Sequence, residues 1–303
     1  MGVLNSQRKE EHKMISVIMT LHNRAHLLKW CLEGIYRNSF PEDKKVIEIN
    51  ILDDGSTDGL DDLLQRESER FGAINKYIWD KSKLEIPIKF NCPAQAYNLL
   101  VKLSSYDIIY KTDPEMVILD KDFIKKSLDI LNMQSDAIIM PFPYHCYEFP
   151  INQFEEIEKN YLKYYYSTHI TKENARSQMI YYQSIFSRES FITLGGIEER
   201  FSSGIGYEDV SFLKWWRKIY GEQSFVPLVS SPCIHQYHGG MAQTPDKGTV
   251  GVPPHLYPWV EQNERLGVSL ENVRPNSGIK WGKKDSLVSL DTWVNGCRQH
   301  HLL

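Results

Sequence analysis

Four groups of acidic and histidine side chains stand in a fixed order along this chain, and together they suit one kind of chemistry. In chain order they are Asp53 with Asp54, Asp113 with Glu115, Glu208 with Asp209, and His235 with His238. Each group alone also has an ordinary structural role, such as closing a turn or capping a helix. Taken in this order, they could supply a nucleotide contact, a divalent-metal site and a general base, which the transfer of a nucleotide-activated group requires.

The first acidic pair, Asp53 and Asp54, follows the apolar run VIEINIL and opens the turn DDGSTD at residues 53–58. Aspartates at such a position commonly cap the turn or the helix that comes next. The functional alternative is that one of the two carboxylates accepts a hydrogen bond from a nucleobase N–H at the free strand end.

The second acidic pair, Asp113 and Glu115, lies two residues apart after another strand-like run. Adjacent carboxylates disfavour each other's charge unless a cation lies between them. Hard divalent ions such as Mg²⁺ or Mn²⁺ take oxygen ligands and leave positions open for phosphates. A solvated Asp-Pro turn is the structural alternative.

The histidines His235 and His238 lie three residues apart in the segment CIHQYHGG. A single histidine more often has a structural role, but imidazole is also a suitable ligand for Mn²⁺-type ions and could complete a carboxylate site. His238 is the better candidate, with His235 close behind, because two glycines follow His238 and would leave room for phosphate.

The pair Glu208 and Asp209 follows the glycine-flanked loop GIGY and opens an apolar helical pattern. Acidic residues there can simply stabilise the helix N-terminus, by about 0.3–1 kcal/mol each. The functional interpretation is that Asp209 is the general base that deprotonates an acceptor hydroxyl, and that Glu208 hydrogen-bonds the acceptor.

The elements that must position these residues alternate along the chain. Short apolar runs predict strands, and segments with helical spacing lie between them. The predicted strands are residues 15–21, 46–52, 74–79, 107–111 and 136–140, and the predicted helices are 24–38, 60–64, 94–104, 123–131, 154–166 and 208–220. This alternation predicts a parallel, doubly wound α/β sheet, in which ligands bind at the carboxyl ends of the strands. The first two acidic pairs both follow such ends.

Composition excludes several classes of protein. The chain has 303 residues, of which 42% are hydrophobic and 24% charged, so it can bury a sizeable core. A net charge of −4 argues against nucleic acid as a partner. The five cysteines contain no CxxC pair, which favours a reducing compartment. Residues 1–13 lack the apolar stretch of a signal peptide and no run of 18 apolar residues occurs, so we expect a cytoplasmic protein without a membrane span. Peripheral contact with a membrane stays compatible with this.

Several stretches resemble the motifs of one enzyme family. SVIMTLHNR (16–24) is similar to its opening strand, ILDDGSTD (51–58) to its nucleotide-binding DDGSxD, and YKTDPE (110–115) stands where its DxD motif lies. LGGIEERF through GYED (194–209) resembles its LGGFDExF…GxxED segment, and also the GWGGED loop of galactosyltransferases with the same fold. Over about residues 14–240 the chain therefore resembles an inverting, metal-dependent GT-A glycosyltransferase similar to glycosyltransferase family 2.

The resemblance implies a GT-A (Rossmann-like) fold, a mostly parallel mixed sheet flanked by helices, with an irregular C-terminal extension. It implies transfer of a sugar from a nucleotide sugar, most simply a UDP-sugar, to a hydroxyl of a glycan, glycoconjugate or glycolipid, as in polysaccharide biosynthesis. Mn²⁺ or Mg²⁺ is the implied cofactor. The implied site residues are Thr20, Asn23, Arg24, Asp53, Asp54 and Asp113 for the nucleotide, Asp113, Glu115, His238 and His235 for the metal, and Asp209 and Glu208 for catalysis.

The chain is predicted to divide into three parts. Residues 1–13 form a polar N-terminal extension, 14–240 the GT-A domain, and 241–303 a Pro- and Gly-rich extension or lid. Within the domain, 14–120 is the nucleotide-binding half and 121–240 the acceptor and catalytic half.

Two other functions stay open on sequence alone. One is nucleotidyl transfer, which would make a sugar nucleotide, although TLHNR at residues 20–24 lacks the glycines of the usual phosphate loop. The other is carbohydrate binding without catalysis on the same scaffold. The chain also departs from the family at two positions, with Glu115 as the second acid of DxD and Tyr97 where an arginine is common.

Overall fold

The structure is a computed structural model that describes residues 14–38, 43–88, 93–146, 154–163, 165–166, 183–236, 238 and 254–303. Within these ranges eleven strands join one mixed sheet, and helices cover both of its faces. The strands are β1 (Ile15–Leu21), β2 (Ile47–Asp53), β3 (Ala73–Trp79), β4 (Ile108–Lys111), β5 (Met116–Ile118), β6 (Ile138–Cys146), β7 (Tyr165–Tyr166), β8 (Ser184–Ser187), β9 (Phe225–His235), β10 (Leu287–Val294) and β11 (Cys297–Leu302). The helices are α1 (Ala25–Tyr36), α2 (Leu60–Glu67), α3 (Ala94–Leu103), α4 (Phe123–Met133), α5 (Phe154–Asn160), α6 (Arg188–Leu194), α7 (Glu208–Tyr220) and α8 (Tyr257–Ser269).

The strand order along the sheet is β11-β10-β3-β2-β1-β4-β8-β6-β9-β5, with β7 paired to β6. The first four strands of the chain form a parallel unit, β3-β2-β1-β4, and β6 pairs in parallel with β9. The remaining pairs are antiparallel. This mixed α/β sheet with helices on both faces confirms the fold class that the family resemblance implies, whereas the alternating pattern alone predicts a parallel sheet.

Both faces of the parallel unit are buried because successive side chains on a strand point to opposite sides. On β1, Val17 and Met19 pack with α1, α2 and α4 on one face, whereas Ile18 packs with α3, α6 and α7 on the other. All seven residues of β2 are buried. Strands covered on both faces read as continuous apolar runs, which is why they were recognisable in the sequence.

The C-terminal region holds more regular structure than its proline and glycine content predicts. β10 pairs with β3 and β11 with β10, so residues 287–302 extend the sheet beyond the parallel unit. The alternation in LVSLDTWV, with Leu287, Ser289, Asp291 and Trp293 turned inward, fits a strand with one covered face. The predicted extension 1–13 and residues 241–253 lie outside the described residues.

The predicted helix at 154–166 is shorter in the structure, where α5 ends at Asn160 and a 3₁₀ turn, Tyr161–Lys163, follows. Strands β5 and β9 were not predicted as strands. Within the described residues, no helix combines the length and the apolar composition that crossing a membrane requires.

Gly34 sets the distance between α1 and β5, the strand that follows the acidic pair Asp113 and Glu115. A Cβ atom on Gly34 would lie 2.7 Å from the backbone oxygen of Ile118. Gly→Ala inside a helix normally stabilises by about 0.5–1 kcal/mol. Here we expect Gly34→Ala to lower the free energy of unfolding by about 1–3 kcal/mol, because the backbone of β5 must move.

Urea unfolding of the variant measures this effect. The matched control is His26→Ala at an exposed position of the same helix, which should change the free energy by less than about 0.5 kcal/mol. A Gly34→Ala protein that is more stable than the parent would show that α1 and β5 are not in this close contact.

Candidate active site

An open cleft of about 370 Å³ lies where the carboxyl ends of β1, β2 and β4 meet. β1 pairs with β2 on one side and with β4 on the other, so the cleft lies at the point where the strand order reverses. In open α/β sheets, ligands bind at this point. The residues that line the cleft are Thr20, Leu21, His22, Arg24, Asp54, Trp79, Lys81, Ile88, Pro93, Ala96, Asp113 and Glu115.

The two aspartates at the end of β2 have different surroundings. Asp53 is buried and accepts a hydrogen bond from the backbone N–H of Ser56 at 2.9 Å, so it closes its own turn. Asp54 lines the cleft, where its carboxylate lies 2.5 Å from Nζ of Lys81 and accepts a hydrogen bond from Nε1 of Trp79 at 3.3 Å. Of the pair, Asp54 is the residue that a ligand in the cleft could contact.

Asn23 fixes the loop between β1 and α1. Its backbone has a φ of 51°, in the left-handed region that asparagine tolerates better than most residues. Its Oδ1 accepts a hydrogen bond from the N–H of Thr57 at 2.8 Å, and its own N–H donates to Oγ of Ser56 at 2.9 Å. Asn23 therefore ties two loops together, while its neighbour Arg24 lines the cleft and donates to the backbone oxygen of His238 at 3.1 Å.

Glu115, His235 and His238 form a cluster beside this cleft. One potential ligand atom from each residue lies within 4.8 Å of the other two. Nε2 of His238 lies 3.7 Å from Oε1 of Glu115, and the two imidazole rings have centroids 5.1 Å apart. The pairing of β5 with β9 brings them together, since Met116 lies opposite His235 and the N–H of Gln236 donates to the backbone oxygen of Glu115 at 2.9 Å.

This cluster fits a divalent cation. Two ligand atoms about 2.0–2.3 Å from one ion lie no more than about 4.6 Å apart, and the ligand atoms of this cluster lie within 4.8 Å of one another. Burial, followed by the negative charge of Asp113, raises the pKa of the Glu115 carboxyl to about 7. A cation bound between Glu115 and the two histidines would offset both the burial of the Glu115 carboxylate and its repulsion by Asp113.

Asp113 was also predicted to be a metal ligand, but it does not belong to this cluster. Its two carboxylate oxygens lie 3.1 and 3.3 Å from Nζ of Lys111, and the hydroxyl of Tyr97 donates to Oδ1. Asp113 lines the cleft, where it is paired with a lysine.

Glu208 and Asp209 occupy the first turn of α7. Both are half-buried, and burial raises the pKa of each carboxyl, for Glu208 to about 8 with the charge of Asp209 as the second cause. The charges of Lys111 and Asp113 act on both groups. Among the described residues, Oε2 of Glu208 is buried and has no hydrogen-bond partner. The buried carboxyl of Glu208 therefore favours its protonated form at neutral pH.

Helix α8 holds the glycine loop that precedes this pair. Nδ2 of Asn263 donates to the backbone oxygens of Phe201 and Gly206, at 3.0 and 2.7 Å. Gly204 must lack a side chain, because a Cβ there would lie 2.2 Å from Oδ1 of Asn263. The region that the sequence predicted to be an extension or lid thus contributes to the shape of the candidate catalytic loop.

The structure therefore brings most of the predicted residues to one cleft and turns a few away from it. Thr20, Arg24, Asp54, Asp113 and Glu115 line the cleft, and Glu115 also groups with the two histidines. The charges of Lys111 and Asp113 act on Glu208 and Asp209, whereas Asp53 and Asn23 form hydrogen bonds within the turns. The sequence did not select Trp79, Lys81 or Lys111 as site residues, and it marked Tyr97 only as a departure from the family motif. Lys111 could have been selected from the sequence, because a charged residue in the buried strand IIYK needs a partner of opposite charge.

Comparison with known proteins gives a family and a fold. A model of the family described as "Glycosyl transferase family 2" matches residues 16–195. A comparison with curated proteins gave no match. Among solved structures, S. aureus TarS 1-349 in complex with UDP-GlcNAc is 14% identical with a TM-score of 0.52, over 75% of this chain and 59% of that chain. The same TarS fragment in complex with UDP is 16% identical with a TM-score of 0.51, over 74% of this chain and 60% of that chain.

A further TarS structure has 14% identity and a TM-score of 0.52, over 74% of this chain and 37% of that chain. The chain thus spans less than two thirds of the length of the TarS chains that it matches. At this level of identity the likeness concerns the fold, and the fold agrees with the GT-A type that the sequence motifs predict.

Proposed function

Because the chain belongs to glycosyl transferase family 2, we propose that it transfers a sugar from a nucleotide sugar to a hydroxyl group, with inversion at the anomeric carbon and with the help of a divalent metal. The donor that we favour is a UDP-sugar, and the acceptor is a glycan, glycoconjugate or glycolipid. The observation that carries the proposal is the cluster of Glu115, His235 and His238 beside a cleft that also holds Asp54 and Asp113.

In this proposal the cleft binds the nucleotide. Asp54 accepts a hydrogen bond from the base, and Trp79 and Lys81 fix the direction of its carboxylate. Thr20 and Arg24 flank the diphosphate, and the guanidinium of Arg24 contributes positive charge next to the backbone of His238. Asp113 accepts a hydrogen bond from a hydroxyl of the donor.

Glu115, His238 and His235 would hold the metal. When bound, a Mn²⁺ or Mg²⁺ ion neutralises charge on the leaving nucleoside diphosphate. The two imidazoles favour Mn²⁺ over Mg²⁺, because Mg²⁺ prefers an all-oxygen shell and dehydrates reluctantly.

Asp209 is the general base of the proposed reaction. Its carboxylate takes the proton from the acceptor hydroxyl as the oxygen attacks the anomeric carbon, on the face opposite the departing diphosphate. Glu208 orients the acceptor by a hydrogen bond. Its raised pKa keeps it largely protonated at neutral pH, so that Asp209 carries the charge of the pair.

The release of free nucleoside diphosphate in the presence of Mn²⁺ tests the proposal. A panel of nucleotide sugars, with UDP-GlcNAc included because TarS was solved with it, is first screened by the rise in melting temperature that binding to the native state produces. Release of diphosphate from one donor supports transfer. Formation of a sugar nucleotide from a sugar phosphate would support the nucleotidyltransferase instead, and stable binding without turnover would support a binding protein.

The different surroundings of Asp53 and Asp54 give a matched pair of variants. We expect Asp54→Ala to weaken binding of the donor nucleotide about tenfold, the effect of one lost hydrogen bond to a charged acceptor, with little change in stability. Asp53→Ala should instead lower the free energy of unfolding by about 1–3 kcal/mol, because the turn at Ser56 loses its acceptor.

Calorimetric titration with the nucleoside diphosphate and urea unfolding together measure both effects. The opposite pattern, in which Asp53→Ala loses affinity and Asp54→Ala loses stability, would show that we assigned the two roles to the wrong residues.

A further inference from the structure

Lys111 is a buried cation among the acidic residues of the site. It is the last residue of β4, and only 4% of its side chain is exposed. An ammonium group is buried at this depth only when a partner compensates its charge. Here Nζ lies within 3.3 Å of both carboxylate oxygens of Asp113. The positive charge also offsets part of the effect of burial, which raises the pKa values of Glu115, Glu208 and Asp209.

Tyr97 holds the same carboxylate from a second side. Its hydroxyl donates to Oδ1 of Asp113 and lies 3.1 Å from the backbone oxygen of Thr112. The ammonium of Lys111 lies 4.6 Å from the centre of the Tyr97 ring, a distance at which cation and ring attract each other. Asp113 is thus fixed in direction by two neighbours from α3 and β4.

This arrangement separates the two acids of the TDPE segment. Glu115 joins the two histidines, whereas Asp113 lies outside the group of ligand atoms found within 4.8 Å of one another in the described residues. The partners divide in the same way, because Asp113 forms an ion pair with Lys111 at 3.1 Å, whereas Oε1 of Glu115 lies 3.7 Å from Nε2 of His238.

We propose that Lys111 is a positioning residue that acts as a built-in cation, holding Asp113 away from the metal so that one ion binds to Glu115, His235 and His238 alone. The inference rests on the proposed function, since it assumes the metal site. The carboxylate of Asp113 then keeps lone pairs directed to the cleft, where they accept a hydrogen bond from a hydroxyl group of the nucleotide sugar. The lysine thereby limits the affinity of the site for free metal and reserves one carboxylate for the nucleotide sugar.

The direction in which Mn²⁺ affinity changes when Lys111 is replaced tests this proposal. Lys111→Met removes a positive charge and releases a carboxylate, and both changes favour a divalent cation. We therefore expect the variant to bind Mn²⁺ about tenfold more tightly than the parent, the size expected for one unit charge near a dication in a solvent-accessible site. The measurement is titration of the metal-free protein with Mn²⁺ alone, followed by the electron paramagnetic resonance signal of the free ion.

Three further variants separate this role from a purely structural one. Lys111→Arg keeps the charge and should keep the parent's Mn²⁺ affinity. Lys111→Gln removes the charge but can still donate to Asp113, so it should tighten binding even if Lys111→Met does not fold. Lys111→Met combined with Asp113→Asn should return the affinity to about the parent's value, because the gain depends on the released carboxylate.

Lys126→Met is the matched control for net charge. It breaks a Lys–Asp pair with Asp120, at 2.7 Å, on another part of the surface, and should leave Mn²⁺ affinity unchanged. The inference would be overturned if Lys111→Met and Lys111→Gln bound Mn²⁺ more weakly than the parent. If the parent itself binds Mn²⁺ and transfers sugar, the proposed function would stand. A parent protein that binds no Mn²⁺ would overturn the metal site and this inference together, and diphosphate release would then report separately on transfer.

Discussion

Replacing Asp209 by asparagine is expected to lower turnover by about 10²–10⁴-fold, the usual contribution of general base catalysis, while donor affinity stays nearly intact. Asparagine keeps the shape of the side chain and loses its basicity. The reason for choosing Asp209 is its place in the first turn of α7, in the field of Lys111 and beside the partner carboxyl of Glu208. Steady-state rates of diphosphate release with saturating donor and acceptor measure the effect.

The matched control is Glu189→Gln, which removes an exposed acidic residue from the first turn of α6. It alters a helix N-terminus in the same way and should leave turnover unchanged. Glu208→Gln should mainly raise the acceptor KM. Near-normal turnover in Asp209→Asn, or a product that retains the anomeric configuration of the donor, would refute the assignment.

The pH dependence of the rate follows from the same pair of carboxyls. The base must be ionised, and burial raises the pKa of Asp209 above that of an ordinary aspartate. Activity should therefore fall on acidification at a higher pH than a solvent-exposed aspartate would give, and the residual activity of Asp209→Asn should lack that acidic limb.

Removing the metal is expected to abolish transfer, and Mn²⁺ should restore it better than Mg²⁺. Glu115→Gln should weaken metal binding at least about 100-fold, since even the outer partners of metal ligands contribute about 10–100-fold. His238→Ala should have a larger effect than His235→Ala, because His238 lies 3.7 Å from Glu115. Titration of diphosphate release with Mn²⁺ after dialysis against EDTA measures all three variants.

His255→Ala, at an exposed histidine outside the cluster, is the control and should keep the parent's metal requirement. Full activity in EDTA would contradict the metal-dependent mechanism. A larger loss in His235→Ala than in His238→Ala would reverse our ranking of the two ligands without affecting the site itself.

The sequence predicted the parallel unit well, because strands that are buried on both faces, such as β1 and β2, read as continuous apolar runs. It did not predict β5 or β9. β5 has only three residues, and β9 contains Pro227 and Pro232, which weaken a strand signal. These strands pair with each other across a long stretch of chain, and local periodicity carries no information about such a pairing.

In the candidate site, too, residue type and spacing predict some features, whereas others depend on contacts between residues far apart in the chain. Residue type and spacing select Asp113, Glu115 and both histidines as candidate metal ligands, and the structure brings Glu115 and the two histidines within 4.8 Å of one another. They could not show that Asp113 belongs with Lys111 and Tyr97, because an ion pair depends on side-chain directions that only the folded strand and helix define. Nor could they distinguish Asp53 from Asp54, since one residue step along a strand end decides which carboxylate faces the cleft.

The order of strands in the sheet also determines when the protein can acquire its site during synthesis. The first four strands emerge early, yet both outer strands of that unit pair with later segments, β4 with β8 and β3 with β10. Glu115 emerges before residue 120 but meets its histidine partners only after β9 has been made. Distant pairings of this kind slow folding, and the edge of β4 stays unpaired until β8 has been made, whereas the edge of β3 stays unpaired until β10 has been made. An incomplete chain that ends before β9 would contain Asp54, Asp113 and Glu115 but would lack both histidines of the candidate metal site.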